Sequence, residues 1–132
     1  MKRLYKIGLI AQDTNAGIKT CAGYAQSGNY TTLQMPIGTF YQVALDKIYS
    51  IGEIHYNGDT VGSDVQIGYG DTSVNNSAVP PTNNVNLTDL LPIEVANRAF
   101  IDEIYLEILA GKYPYIRAIG GEIYCHVMGI EK

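Results

Sequence analysis

At 132 residues, 46% apolar and 17% charged, the chain has the size of one domain, long enough to bury a core and too short for two independent ones. A net charge of −4, with nine basic residues scattered along the chain, excludes a phosphate-binding face and with it a nucleic-acid partner. No apolar run approaches the roughly 20 residues needed to cross a bilayer, and Lys6 and Asp13 break the faint likeness of the first residues to a secretion signal, so neither a membrane nor export is expected.

Taken in order, Arg3 to Ala11 alternates well enough for a first strand, and Asp13-Thr14-Asn15-Ala16-Gly17 is a cluster of turn formers. Ile18 to Ala25 returns as a second strand. Gln26-Ser27-Gly28-Asn29 turns the chain into Tyr30 to Met35, whose β-branched and aromatic residues favour extended structure, closed by Pro36 and Gly38. Tyr41 to Leu45 is read as a strand, Asp46-Lys47 as a turn, and Ile48 to Tyr56 as a long returning strand. Asn57-Gly58 is the strongest short hairpin signal in the chain, so Ile48 to Tyr69 is expected to fold as one hairpin.

Ser73 to Asn86, with Pro80-Pro81 and five asparagines, excludes a regular element and is expected to be either a contact loop or a surface excursion. From Asp89 to Lys112 two readings compete. Pro92, the spacing of Glu94, Arg98 and Asp102, and Gly111 suit a helix, whereas Ile104, Leu106 and Ile108 alternate with Tyr105, Glu107 and Leu109 at strand period. The alternation decides for a loop to about Asn97 and a strand from about Phe100 to Leu109. Tyr113 to Ile119 is extended because Pro114 forbids a helix interior, Gly120-Gly121 is expected to close a hairpin, and Ile123, Cys125 and Val127 face away from Tyr124, His126 and Met128.

One pattern is written twice. Tyr41 to Lys47 leads through Ile48 to Gly52-Glu53-Ile54-His55, and Tyr105 to Lys112 leads through Tyr113 to Gly121-Glu122-Ile123-Tyr124, each read as strand, turn, strand. Eight or nine such strands give an all-β chain over 1–132, a single-domain antiparallel β-sandwich of jelly-roll-like type. Eleven tyrosines against two phenylalanines and no tryptophan agree, since tyrosine packs its ring on a half-buried strand and keeps its hydroxyl wet.

Candidate chemistry is sparse. Cys21 and Cys125 lack metal-ligand spacing and are expected as buried free thiols. His55 and His126 would need to meet beside Glu53 or Glu122 to form an acid-base or metal site; two solvent-facing histidines explain the pattern as well. Cys125 and His126, being neighbours on a strand, point to opposite faces, although His55 could approach Cys125 from another strand. Gly68-Tyr69-Gly70-Asp71 lacks the following helix that a phosphate cradle needs, and Asp59, Asp64 and Asp71 match no established calcium loop. No catalytic residue, metal or cofactor is therefore assigned.

The apolar-aromatic strand, the Ala-Gly-Lys turn at Ala110-Gly111-Lys112 and the strand beyond it resemble β-sandwich proteins of tailed-bacteriophage particles, in which the turn often reads Val-Pro-Ala-Gly-Lys. Here Leu109 precedes Ala110 and the proline is missing. Gln66-Ile67-Gly68-Tyr69-Gly70-Asp71, Pro80-Pro81-Thr82-Asn83 and Ala110 to Ile116 are similar to phrases from such virion sequences. The resemblance covers roughly Gly38 to Glu131. It implies a non-enzymatic structural role in the virion, as a capsid-decoration or fibre-associated component that self-associates, with a trimer favoured, and touches other virion proteins or a host-surface glycan. Tyr69, Tyr113 and Tyr115, with Asn83 and Asn84 of the Asn-rich loop, are the candidate binding residues. A carbohydrate-binding module is the alternative, and a small cupin-like metal enzyme in which His55 and His126 converge is a third reading.

Overall fold

Long strands, several of which alternate between a buried and a wetter face, frame the fold. The computed structural model describes residues 17–132, and the strand expected at Arg3 to Ala11 and the turn residues Asp13 to Ala16 lie outside it. The elements are β1 (Ile18–Ala25), β2 (Tyr30–Thr32), β3 (Tyr49–Gly58), β4 (Asp64–Gly70), β5 (Val85–Asn86), β6 (Leu91–Pro92), β7 (Phe100–Ile108), β8 (Tyr113–Ile119) and β9 (Ile123–Glu131). No helix occurs among the described residues, and the strand alternation in the 89–112 stretch prevails, with β7 starting at Phe100.

Two antiparallel sheets result. One has the order β1-β9-β3-β7; the other has the order β2-β8-β4-β5, with β6 also on β4. The inward residues of the first (Cys21, Tyr49, Ile51, Ile54, Tyr56, Leu106, Ile108, Ile123, Cys125, Val127) meet Leu33, Val65, Ile67, Ile116 and Ala118 from the second side in one cluster. This is a β-sandwich of jelly-roll-like order, because the chain changes sheet at every connection except those that join β4, β5 and β6.

That crossing corrects three expectations. Asn57-Gly58 is not a type I′ turn: both residues belong to β3, facing Tyr124 and Ile123 of β9, and Gly58 accepts a bond from the Asn97 N–H (2.7 Å). The turn lies later, at Thr60–Ser63, and it carries the chain to β4 in the opposite sheet, so Ile48 to Tyr69 is no hairpin. Gly120-Gly121 likewise links β8 to β9 across the sandwich. Pairing over the full length of β9 outweighs the local preference of Asn-Gly, as tertiary context commonly does.

The written-twice pattern splits in the same way. Its second copy is strand, turn, strand, but β7 and β8 lie in different sheets. Its first copy forms no strand before β3. Tyr41 and Val43 are buried, yet their backbone bonds go to scattered partners: Tyr41 N–H to Leu33 O (2.9 Å), Val43 N–H to Lys112 O (3.0 Å), and Gly111 N–H back to Val43 O (2.9 Å). The first copy therefore braces the turn of the second. Gly111 adopts φ +77°, which its missing Cβ permits, and the turn closes through Lys112 N–H to Leu109 O (3.1 Å).

Candidate functional site

The candidate binding residues come together at one end of the second sheet. Gly70 faces Tyr113, Tyr69 faces Pro114 on one side and Val85 on the other, and Gly68 faces Tyr115 and Asn86. Tyr69 and Tyr113 are half-buried, Asn83 is exposed, and Asn84 is intermediate. Asn83 holds its place with φ 51°, a left-handed conformation that asparagine tolerates.

Tyr115 departs from the expectation of a binding surface. It points away from the core cluster, yet it is 0% exposed because the Asn-rich loop lies over it. Its hydroxyl donates to Asn86 Oδ1 (2.7 Å) and accepts from Asn84 Nδ2 (3.1 Å). Burial raises its pKa, so it stays a phenol and keeps its proton for Asn86. Tyr30 meets its ring edge-on (5.5 Å between centroids), and Arg117 caps Tyr30 at 5.2 Å. The tyrosine ring crosses Gly68, where a Cβ would run into the Tyr115 hydroxyl and the Val85 carbonyl. Tyr115 and Asn84 thus pin the loop down, which leaves Tyr69, Tyr113 and Asn83 as the members of the set able to touch a partner.

Sequence reading did not find the clamp beside them. Lys112 Nζ pairs with Asp71 Oδ1, Asn83 Nδ2 donates to Asp71 Oδ2 (2.8 Å), and Asp71 N–H donates to Thr82 O (2.8 Å). The lysine and the asparagine hold the Asp71 carboxyl below its ordinary pKa. The available signal was the lysine that ends the Ala-Gly-Lys turn. Asp59 and Asp64 do not join Asp71: Asp59 accepts from Thr60 Oγ1 (3.0 Å), and Asp64 is a β4 residue facing Ile119.

A second cluster lies on the outer face of the first sheet. His55 and His126 are directly opposite on β3 and β9, their rings stacked with centroids 4.4 Å apart and planes 24° from parallel. His55 Nε2 pairs with Glu53 Oε1. His126 is 1% exposed and neither of its ring nitrogens has a hydrogen-bond partner. Burial, then the neighbouring His55, push its pKa down from 6.5 to about 4, with Glu53 opposing, so the ring is neutral at pH 7.

The two histidines do meet, as an acid-base or metal site would require, but as parallel plates. Among the described residues no three His, Cys, Asp or Glu side chains are grouped to hold a metal ion. Cys125 lies on the inner face, where burial raises the thiol pKa, and His55 on the outer one, so the two do not form a nucleophile and base. Cys21 is also a buried free thiol, its pKa pushed up to about 12 by burial. The two Gly-Glu-Ile glutamates are not equivalent. Glu53 sits beside His55, whereas Glu122 accepts from the Tyr24 hydroxyl (2.6 Å), where Tyr24 and Tyr124 pack with centroids 4.6 Å apart.

No family model, no curated protein and no solved structure matches this chain.

Proposed function

We propose that this chain is a non-enzymatic structural protein of a tailed-bacteriophage particle, a capsid-decoration or fibre-associated component that self-associates and docks on other virion proteins. The observation that carries the reading is that the three phrases resembling virion sequences, far apart in the chain, fold into one corner. Gly70 pairs with Tyr113, Asp71 bonds Thr82 and Asn83, and Lys112 closes on Asp71. A β-sandwich with such a corner offers Tyr69, Tyr113 and Asn83 on a rigid base, the mixture of aromatic body and polar tip that suits a protein contact. Mass spectrometry of gradient-purified particles made from the genome that carries this reading frame tests the proposal. The chain is expected at the abundance of a structural protein; its absence from particles while abundant in the lysate overturns the assignment.

The alternative, a carbohydrate-binding module, draws support from the Tyr24–Tyr124 pair beside Glu122, since an aromatic platform with a nearby carboxylate can stack on a sugar ring and bond its hydroxyls. A glycan array answers this directly. Binding that is lost in Tyr124→Ala supports it, and an array without hits removes it.

A further inference from the structure

The edges of the two sheets are treated unequally. β1 is capped at its middle by Gln34, which exchanges two backbone bonds with Ala22 (2.9 and 2.7 Å). β2 has three residues and is bonded by Ser77 and Val74, and β5 and β6 have two residues each. β7 differs. It is nine residues long, it pairs with β3 on one side, and on the other its backbone has no partner among the described residues. An open edge of that length is a template for another strand.

The side chains of β7 select which strand. Inward positions Phe100, Asp102, Ile104, Leu106 and Ile108 alternate in burial with outward Ile101, Glu103, Tyr105 and Glu107, while the ladder to β3 shifts register between Leu106 and Glu103, so that Ile104 and Tyr105 together stand opposite Gly52. Ile101 is 59% exposed and Tyr105 69% exposed, large apolar surface on an outer face that otherwise carries carboxylates. When β7 meets β7 of a second copy antiparallel, two-fold symmetry allows registers centred on one residue, with both cores on the same side. Centring on Glu103 sets that carboxylate against itself, and centring on Tyr105 sets Glu103 against Glu107; like charges directly opposite are destabilising. Centring on Ile104 sets Glu103 against Tyr105, Glu107 against Ile101, Asp102 against Leu106 and Phe100 against Ile108, so that no carboxylate faces another.

We propose that β7 is a homodimer interface, formed by antiparallel pairing with a second copy about Ile104 to give a continuous eight-stranded sheet. The contact is isologous and consumes the only β7 of each copy, so it closes at two. A three-fold assembly would have to use a different surface. The proposal adds a defined surface to the self-association in the virion reading without resting on the particle assignment, because a chain absent from virions still dimerises if the edge pairs.

Sedimentation velocity of the full chain from micromolar to hundreds of micromolar tests it, with two variants at exposed positions that leave the core untouched. Tyr105→Glu places two symmetry-related Glu–Glu contacts in the Ile104 register and is expected to weaken dimerisation about tenfold or more. Ile101→Lys places a lysine against Glu107 of the other copy twice. It is expected to tighten the dimer several-fold at low salt and to lose that gain at high salt. Equal far-UV spectra and urea midpoints verify that both variants fold. A chain monomeric throughout the series, or a dimer indifferent to Tyr105→Glu, overturns the interface. A dimer weakened by Tyr105→Glu but unmoved by Ile101→Lys overturns the register.

Discussion

Lowering the pH from 7 to 5 should destabilise this protein by about 2 kcal/mol through His126 alone. In the unfolded chain the ring takes a proton near its ordinary value of 6.5, whereas in the native sheet burial, and after it the neighbouring His55, hold it down to about 4. Around it on that face stand His55 of β3, which opposes the cation, and Glu53 of β3, which favours it; Thr20 and Ala22 of β1 lie on its other side, and Ile101 and Glu103 of β7 stand one strand further out, beyond β3. Between the two values the unfolded state binds a proton that the native state refuses, so stability falls as pH drops below the unfolded value and goes on falling until pH nears the native one. At pH 5 about one and a half pKa units are engaged, each worth about 1.4 kcal/mol. Urea unfolding followed by far-UV circular dichroism at pH 7, 6 and 5 measures the slope, with His126→Leu as the comparison because it removes the titrating ring and its two unpaired nitrogens. The wild type should lose about 2 kcal/mol more than the variant over that range. Parallel pH profiles for the two proteins, or an NMR titration that finds native His126 protonating near 6.5, would refute the reasoning.

Two further outcomes concern the pinned loop. Tyr115→Phe deletes the bonds to Asn84 and Asn86 and should cost about 1–2 kcal/mol, with faster amide exchange in residues 82–87 and unchanged protection in the centre of β8. Gly68→Ala drives a methyl group against the Tyr115 hydroxyl and the Val85 carbonyl, and should lower stability by about 2–3 kcal/mol in the same urea assay; a neutral result would show that the ring is free to move aside.

Strands whose burial alternates were legible residue by residue. Ile18–Ala25 and Tyr113–Ile119 have the ends read from the sequence, and β7 ends one residue sooner, because period-two alternation is a local property that burial on one face enforces. Partners were not legible. Asn57-Gly58 has the composition of a turn, and only the strand lying alongside it, β9, shows that it is extended. Tyr41 to Leu45 alternates as a strand would, but no strand runs beside it long enough to form a ladder, so it became a brace. The same holds at the sites. Tyr69, Tyr113 and Asn83 were picked out from separate phrases, and only the pairing of β4 with β8 and β5 brings them near one another, just as the stacking of His55 on His126 depends on the β3–β9 register, which no local signal encodes.

The confinement of same-sheet connections to β4, β5 and β6 bears on how the chain acquires its fold. β9 lies between β1 and β3, and β8 between β2 and β4, so the two strands that complete the sheets follow nearly everything they must join. Each ladder other than those of β4 with β5 and β6 must close a long loop before it gains a bond, and folding rate falls as native contacts become less local. Folding should therefore be slow for a chain of this size and governed by the arrival of β8 and β9. Until they insert, the edges of β1, β3 and β4 stand open together, and the emerging chain has the most to gain from a chaperone or from dilution.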